Sequence, residues 1–531
     1  MKRTGAYALS AAVIGSAIPL GFVGQQTAQA ATRTYYVSPS GSDSNRGTSA
    51  ATPFRSLQKA ADTAAPGDTV SIMSGTYRQK SNAADVLLIS RSGRAGAPIT
   101  FQAYPGQHPI INPVGAWNGI RVNGASHIII RGLEIKGDSA NISLRDAERG
   151  ASTKNGKYNT NCLSIDKNKA SGATPHHIDI LNNTVHHCPG GGIGASDVDH
   201  LTIDRNHVYS NAWYSVFGNS GISILTARDS DAGDPRKYKI RITNNTAHDN
   251  ETKVKWEGCR CYSDGNGIIV DTLKGHNYQG RVLVANNVSY DNGGSGIHSY
   301  KSQHVDIVNN TAYQNGRSTR MNSYANIFAV DSKDVRLLNN VSYGRPGQAT
   351  NSKSRNVDVT YDYNVYFGGK APEVKGPHDL ITDPKIVKPG TRTAKPVFSL
   401  QKDSPAVGSA AALSEVKTDI TGARRDADTP DRGAFAFTTI GKAPRTSSAP
   451  PTGDSAAKDN NSDHDPGADA TEQNAVPSGT ASTDATSNVR ANGNSTDLAT
   501  TGASVALPLG VAAAALGLGG GIIFLLRRKR S

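Results

Sequence analysis

The sequence predicts an all-β protein whose body is a parallel β-helix, a solenoid in which the chain winds through stacked strands. Three observations predict this fold class. Short asparagine-containing segments recur along the middle of the chain, alternating apolar and polar strands lie between them, and no helix there is long enough for a βαβ crossover. Consecutive strands must therefore stack by winding of the chain.

One asparagine marks each coil of the repeat. Successive members of this column are 23, 39, 42, 23, 30 and 24 residues apart, so the base coil has 23 to 24 residues and the longer steps carry insertions. Stacked amides at a turn hydrogen-bond from coil to coil, and we therefore expect a structural role. The column consists of Asn183, Asn206, Asn245, Asn287, Asn310, Asn340 and Asn364.

A histidine column lies six residues before the asparagines. Repetition at a turn indicates packing rather than catalysis, so we expect these histidines to be structural. The column includes His177, His200 and His304, and His127 has a similar setting.

The two ends of the chain predict export and anchoring. Lys2 and Arg3 precede an apolar run and small residues ending at Ala30, which indicates a signal peptide cleaved after Ala30. The segment 498–502 reads Leu-Ala-Thr-Thr-Gly and precedes an apolar span, residues 505–526, with a basic tail.

This C-terminal arrangement resembles the sorting signal of Gram-positive surface proteins. The resemblance implies that a sortase cuts between Thr501 and Gly502 and joins Thr501 to cell-wall peptidoglycan. It also implies a membrane-spanning precursor and a secreted, wall-anchored product on the outer surface of the cell. The alternative is a plain C-terminal membrane anchor.

The predicted domains follow from these ends and from composition. Leu57, Ala60, Ala61 and Ala64 fall on one face of a short helix that would cap the first coil. The segment 438–497 has hardly any large apolar residue, which predicts a disordered spacer. The domains are a signal peptide (1–30), an N-terminal cap with the first coils (31–110), the β-helix core (111–370), a segment closing its far end (371–437), the spacer (438–497) and the sorting signal (498–531).

Charge and cysteine content narrow the function classes. The formal net charge is +13, but six of the 57 basic residues lie in the removed ends, which leaves +7. This mild excess does not discriminate among polymers, and the absence of a basic stripe or recognition motif argues against nucleic acid. We expect a monomer. The four cysteines allow three disulfide pairings, and the sequence does not choose among Cys162, Cys188, Cys259 and Cys261.

The start of the body carries a family resemblance. Residues 35–48 (Tyr-Tyr-Val-Ser-Pro-Ser-Gly-Ser-Asp-Ser-Asn-Arg-Gly-Thr), with 53–54, 72–77 and 99–104, resemble the start of family 9 pectate lyases. Over residues 34–437 the resemblance implies a right-handed parallel β-helix acting on an extracellular polysaccharide. It further implies calcium bound by aspartates of neighbouring coils and a lysine base. Here residues 263–267 occupy the ligand region with one aspartate fewer, and His298 stands where the lysine is expected.

A column of Gly-Ile pairs predicts where the chemistry lies. The pairs are Gly192-Ile193, Gly221-Ile222, Gly267-Ile268 and Gly296-Ile297. If each isoleucine points inward, Asp271, His298 and Tyr300 share one outer face of adjacent coils.

These residues suit β-elimination from a polyuronate. Ca²⁺ neutralises the uronate carboxylate, and a neighbouring base removes the acidified proton. We expect Asp264 and Asp271 to hold Ca²⁺, His298 to act as base, and Lys274 or Lys301 to hold the substrate.

Further candidates lie in the insertions. Asp229, Asp231 and Asp234 form an acidic loop that is either a second calcium site or simply solvated. Four aromatic residues are predicted to stack on sugar rings, although loop aromatics also form local core. These are Trp213, Tyr214, Trp256 and Tyr300.

Two other functions stay open beside the favoured lyase. A glycoside hydrolase on the same fold would use Asp264 and Asp271 as its two carboxylates. A non-catalytic adhesin or wall-bound carbohydrate-binding protein would suit the sorting signal and the spacer. Unsaturated products, reducing ends without unsaturation, or neither product would distinguish the three.

Overall fold

The computed structural model describes residues 32–80, 84–321, 324–390 and 397–437. The predicted cleavage positions Ala30, Thr501 and Gly502 and the spacer lie outside the described residues. Within the described ranges no helix combines the length and the apolar character needed to cross a bilayer.

Three parallel sheets, here called A, B and C, run the length of the solenoid, and each strand pairs with its equivalent in the next coil. Sheet A contains Thr34–Val37, Thr69–Ile72, Ile99–Ala103, Ser126–Arg131, His176–Leu181, Asp199–Asp204, Tyr238–Thr243, Arg281–Ala285, Gln303–Val308, Lys333–Leu338 and Val357–Asp362. Sheet B contains Gly75–Tyr77, Pro109–Ile111, Glu134–Lys136, Thr184–His186, His207–Tyr209, Thr246–His248, Val288–Tyr290, Thr311–Tyr313, Val341–Tyr343, Val365–Phe367 and Leu380–Ile381. Sheet C contains Asp85–Ile89, Asn118–Asn123, Asn161–Asp166, Ile193–Ala195, Ile222–Ile224, Ile268–Asp271, Ile297–Tyr300 and Ile327–Val330.

The remaining elements are short. Ile386–Lys388 and Val397–Leu400 form an antiparallel pair. The α-helices are Leu57–Thr63, Leu144–Gly150 and Gly156–Asn159, and the 3₁₀-helices are Ser139–Asn141, Ala151–Thr153 and Lys274–His276.

The core is a stack of aliphatic side chains that alternation along the strands points inward. Ile178 of sheet A, for example, pairs in register with Ile128 of the preceding coil and Leu201 of the following one. All three side chains are buried. Burial of such a side chain contributes about 1.5–3 kcal/mol, so the repeated apolar column fixes the register of the coils.

The predicted asparagine ladder is confirmed. The amide Nδ2 of Asn245 donates to Oδ1 of Asn287 at 3.0 Å, and that of Asn287 donates to Oδ1 of Asn310 at 3.0 Å. The same pattern joins Asn183 to Asn206 and continues to Asn364. Asp379 accepts from Asn364 and ends the ladder.

A second amide ladder escaped sequence analysis. Asn250 Nδ2 donates to Asn292 Oδ1 at 2.9 Å, and Asn292 Nδ2 donates to Asn315 Oδ1 at 2.8 Å. Asn211 precedes these residues and Asn326 follows them. Asn211, Asn250, Asn292 and Asn315 each lie five residues after a member of the first ladder and repeat its steps of 39, 42 and 23 residues, so the sequence did carry a signal for them.

The predicted capping helix Leu57–Thr63 is present and buries Leu57, Ala60 and Ala61. Gln58 accepts from the backbone N–H of Leu88 at 2.9 Å and donates to its carbonyl at 3.0 Å. These bonds satisfy the otherwise unpaired edge of sheet C at its first strand.

The C-terminal segment was expected to close the far end. Leu380–Ile381 does add the last strand of sheet B, but the chain then runs back along the flank of the solenoid. There Asn286, Asn309 and Asn339 donate to the carbonyls of Thr418, Asp431 and Ala411 at 2.8, 3.0 and 2.8 Å. These hydrogen bonds hold the returning segment on the flank, because its backbone carbonyls accept from asparagine amides that need a partner.

Candidate active site

The predicted Gly-Ile column lies on sheet C in continuous register. Ile222 pairs with Ile193 and Ile268, and Ile268 pairs with Ile297, with all four side chains buried. At the end of the same strands Asp271 lies directly beside Tyr300 of the next coil. The predicted outward placement of Asp271 and Tyr300 is therefore what the structure shows.

Asp264 reaches this face through a tight backbone turn. Asp264 and Gly265 both have left-handed backbone conformations, with φ of 67° and 65°. A Cβ atom on Gly265 would lie 2.4 Å from the backbone nitrogen of Thr252, and one on Gly218 would lie 2.8 Å from Asp264 Oδ2. Gly265 thus permits the turn to pack closely against the backbone of Thr252, and Gly218 leaves room for the Asp264 carboxylate.

Asp264 and Asp271 are half-buried and electrostatically coupled. Burial raises the pKa of each carboxyl to about 7, and the charge of Asp271 adds to the shift at Asp264. The Thr272 hydroxyl donates to Asp271 at 2.5 Å, and the Lys301 ammonium also favours the Asp271 anion. Because the two charges repel, the pair releases its two protons in separate steps near neutral pH.

Trp256 borders the same space. Gly218 lies between the Trp256 indole and the Asp264 carboxylate. A Cβ atom at this glycine would lie 3.4 Å from the indole ring and 2.8 Å from Asp264 Oδ2. The backbone of Trp256 donates to Cys261 at 2.8 Å, within a segment closed by the exposed disulfide Cys259–Cys261. The other pair is Cys162–Cys188, which resolves the pairing that the sequence left open.

Two neighbours of the site were missed from the sequence. The hydroxyl of Tyr324 lies 3.4 Å from Ser263 Oγ, and burial together with the charge of Asp264 raises the pKa of this tyrosine. Asn219, next to Gly218, has a buried Oδ1 without a hydrogen-bond partner in the part of the chain that the structure describes. Such a group costs about 1–3 kcal/mol unless a ligand or water satisfies it. Neither residue repeats along the chain, so no periodic signal marks it.

The outer face of sheet C is open on one side of these residues and covered on the other. A Cβ atom on Gly194 would meet nothing within 4 Å. Two and three coils further on, the outward side chains of Ile269 and His298 are buried. The outer face of sheet C is therefore open at Gly194, half-open at Ser223 and covered at Ile269 and His298.

His298 lies on the predicted strand but is not presented to a substrate. Its side chain is 4% exposed, stacks on Phe328 with ring centroids 4.6 Å apart, and has Nδ1 2.6 Å from Ser295 Oγ. Burial lowers its pKa to about 3. A catalytic base must reach the substrate, but His298 is buried because Phe328 of the following coil stacks on its imidazole ring.

The two lysines that were predicted to hold the substrate have different neighbours. Lys301 lies near Asp271 and has its ammonium 5.0 Å from the ring centre of Tyr300. Lys274 instead forms an ion pair with Asp331 at 2.7 Å. Only Lys301 therefore stands with the aspartates.

Asp229 and Asp231 lie on the side of sheet A, away from Asp264. Both contact the ammonium of Lys239, at 3.0 and 2.6 Å, and Asp199 contacts it at 2.7 Å. Asp234 pairs with Arg236 at 3.0 Å. A lysine thus occupies the centre of the predicted calcium loop, and the charge that a cation would supply is already present.

Asp264 and Asp271 supply only part of a calcium donor set. Ca²⁺ takes six to eight oxygen ligands and usually several carboxylates. Among the described residues, no third carboxylate, histidine or cysteine is grouped closely with these two aspartates. We therefore derive no chemical step through calcium.

Trp213 and Tyr214 pack as local core. Tyr214 is 5% exposed and donates its hydroxyl to the Ile142 carbonyl at 2.8 Å. Trp213 packs against the same cluster and donates to the Asp249 carbonyl at 3.3 Å. Of the four predicted aromatic residues, the structure brings only Trp256 and Tyr300 to the aspartates.

Comparisons with known proteins agree with this architecture. A family model described as "Pel9A-like, right handed beta helix region" matches residues 35–333. The right-handed parallel β-helix predicted from the sequence is thereby confirmed. The solved structure of pectate lyase Pel9A shares 18% identity with a TM-score of 0.46, over 77% of this chain and 97% of that one.

Curated relatives include two kinds of enzyme. Pectate lyase L of Paenibacillus polymyxa is 24% identical over 332 residues, which cover 58% of this chain and 67% of that protein. The lacto-N-biosidase of Bifidobacterium longum is 26% identical over 357 residues, 56% of this chain and 21% of that protein. Two shorter matches, 39% and 37% identical, span only 21% and 23% of the relatives' own length.

Proposed function

The chain belongs to the Pel9A-like right-handed β-helix family, and its curated relatives include pectate lyases and a lacto-N-biosidase. We propose that it is a glycoside hydrolase acting on an extracellular glycan. Membership in this family makes it an enzyme of the polysaccharide-active kind. The choice of hydrolysis depends on the arrangement at sheet C.

The observation that carries the proposal is the pair of coupled, half-buried carboxyls. Glycoside hydrolysis needs one carboxylic acid that stays protonated near neutral pH and one carboxylate on the other side of the scissile bond. Burial raises the pKa of both Asp264 and Asp271. Each accepts a hydrogen bond from a neighbouring hydroxyl, but of the two only Asp271 also has an ammonium, that of Lys301, favouring its anion. These environments separate the two roles.

In the proposed mechanism Asp264 is the acid. Its proton passes to the glycosidic oxygen as the bond between that oxygen and the anomeric carbon breaks. Asp271 is the carboxylate that attacks the anomeric carbon or activates the water molecule that does so. One water molecule is consumed, and a new reducing end forms.

We expect the sugar chain to bind along the open part of the outer face of sheet C, next to the two aspartates. Trp256 and Tyr300 present aromatic rings next to the two aspartates, and aromatic faces bind the apolar faces of sugar rings. Gly194 and Ser223 leave the outer face of sheet C open beside them. The unpaired Oδ1 of Asn219 offers an acceptor for a sugar hydroxyl.

Calcium-dependent β-elimination from a polyuronate is the second candidate. It is favoured by the family and by the match to pectate lyase L over 332 residues. The described residues offer it less support, because calcium lacks a fitting donor set at Asp264 and Asp271 and His298 is buried. A non-catalytic adhesin remains the third alternative.

We propose that the enzyme acts at the cell surface. The predicted signal peptide ending at Ala30 and the predicted sorting signal, residues 498–531, support export and attachment by sortase to peptidoglycan at Thr501. The substrate would then be a polysaccharide or glycan chain outside the cell.

An assay that separates the three functions uses the purified chain with neutral and uronate-containing glycans, with calcium or with chelator. New reducing ends without absorbance at about 235 nm, unaffected by chelator, support the hydrolase. A calcium-dependent rise at about 235 nm would replace it with the lyase. No product from any glycan, together with retained glycan binding, would indicate the adhesin.

A further inference from the structure

A histidine cluster on the outer face of sheet A is not used by the proposed reaction. His127 belongs to the strand Ser126–Arg131, and His176 and His177 begin the next strand, His176–Leu181. The candidate ligand nitrogens of the three side chains all lie within 4.8 Å of one another, and none of the side chains is buried. The two Nδ1 atoms of His176 and His177 are 2.8 Å apart.

The backbone brings two consecutive side chains to one side. Successive residues of a strand normally point to opposite faces. His177 and His127 both have φ of 55°, a left-handed conformation that histidine tolerates better than most residues. As a result the rings of His176 and His177 meet edge to face, with their centroids 5.1 Å apart, and that of His177 stacks on His127 at 4.6 Å.

We propose that His127, His176 and His177 bind one divalent transition-metal ion of the zinc class. Neutral imidazole nitrogens are preferred ligands of Zn²⁺, Ni²⁺ and Cu²⁺, with Zn–N distances of about 2.0–2.1 Å. Tetrahedral geometry places two such nitrogens about 3.4 Å apart, which side-chain rotation reaches from the observed spacing. Water takes the remaining position. Ca²⁺, which requires oxygen ligands, does not suit this site.

The neighbouring cluster of Asp199, His200 and Asp231 is a weaker metal site. The Lys239 ammonium lies 2.7 Å from Asp199 and 2.6 Å from Asp231, so those carboxylates already have a cation. His200 contributes in another way, because its ring stacks on His177 at 4.2 Å and limits the rotation of that ligand.

His127 and His177 line a cleft on the outer face of sheet A, and the charged side chains in this cleft have opposite effects on the binding of a cation. Arg94 and Arg241 line it beside His127 and His177 and weaken the binding of any cation, whereas Asp179 lies among them and offsets part of this effect. Coordination by three nitrogens, rather than the local electrostatic potential, must therefore provide the affinity.

Calorimetric titration of the untagged full chain at about pH 7.5 with ZnCl₂, and separately with CaCl₂, tests the site, because zinc binding requires neutral histidines. We expect about one zinc ion bound per chain and no binding of calcium. His127→Asn and His176→Asn should each weaken zinc binding at least tenfold. Asparagine is used because it tolerates the left-handed backbone at position 127.

His304→Asn is the matched control. His304 has the same backbone conformation in a later coil of sheet A, but it pairs with Asp334 at 2.7 Å and lacks histidine neighbours among the described residues. Zinc binding should be unchanged in this variant. Absence of saturable zinc binding in the parent chain would overturn the proposal, as would undiminished binding in folded His127→Asn. Loss of binding on Asp231→Asn alone would move the site to the neighbouring cluster and overturn it too.

Discussion

The carboxyl groups of Asp264 and Asp271, seven positions apart in the chain, share one half-buried site, where the charge of Asp271 raises the pKa of Asp264. Asp264 precedes the strand Ile268–Asp271 and Asp271 ends it. The strand positions Asp271 and the turn before it positions Asp264, and burial raises the pKa of each to about 7.

Removing either carboxyl should abolish activity. Asp264→Asn and Asp271→Asn are each expected to lower kcat/KM at least hundredfold on the glycan identified by the reducing-end assay, because each removes one of the two groups that hydrolysis requires. Asp331→Asn is the control, since Asp331 lies two coils further on, just after the corresponding strand, and pairs with Lys274. Activity within threefold of the parent enzyme in Asp264→Asn would exclude this residue as the acid.

The same pair should make stability fall with rising pH. The Asp271 pKa of about 7 in the folded chain exceeds its ordinary value of 3.8. Between these values the folded state keeps a proton that the unfolded state has released, so this group's contribution to stability declines as the pH rises. Asp271→Asn should therefore be more stable than the parent at pH about 8, by roughly 1–3 kcal/mol, with little difference at pH about 4.

Thermal unfolding midpoints across this pH range measure the effect. Asp331→Asn should not show a gain that grows with pH. Equal midpoints for parent and Asp271→Asn at every pH would show that the carboxyl is better solvated than the structure indicates.

Trp256 and Trp213 should respond differently to truncation. Trp256→Ala is expected to raise KM about tenfold, equivalent to about 1.4 kcal/mol, with little change in unfolding midpoint, because its ring borders the space that holds the Asp264 carboxylate. Trp213→Ala should instead destabilise the fold by about 2–3 kcal/mol, because that ring packs in a local cluster. Michaelis kinetics and thermal unfolding of both variants test this, and the reverse pattern would contradict the placement of the two rings.

His298→Phe tests whether this residue is a base. Phenylalanine preserves the stack on Phe328, and Ser295 keeps a hydrogen bond to Asn266 at 3.0 Å. We expect kcat to fall less than tenfold and both limbs of the pH–rate profile to stay in place. A loss of about hundredfold or more, with one limb missing, would restore His298 as the base.

The asparagine ladder should be a main source of stability. Asn287→Ala removes donors and acceptors shared with Asn245, Asn310 and the Ile242 carbonyl, and leaves buried groups unpaired. We expect a loss of about 2–4 kcal/mol in denaturant unfolding. Asn182→Gly, at an outer left-handed position with φ of 54°, should cost about 1 kcal/mol or less. Equal losses in both variants would contradict the ladder's role.

The sequence by itself determined the winding of the chain. The column from Asn183 to Asn364 and the four Gly-Ile pairs repeat once per coil, and a repeat that buries identical residues in register admits little other than a stacked solenoid. It also placed Asp271 and Tyr300 on one outer face, because alternation along a strand needs no knowledge of distant contacts.

The tertiary structure alone decided which groups are chemically available. Lys239 pairs with Asp229 and Asp231. Phe328 covers His298, and Gly218 leaves room for Asp264. Insertions between coils follow no period, so their paths, and with them the burial and the charge partners of the aspartates, arise only when distant segments pack together. Burial and charge pairing set a carboxyl's pKa, which is why the sequence could name these aspartates but not rank their roles.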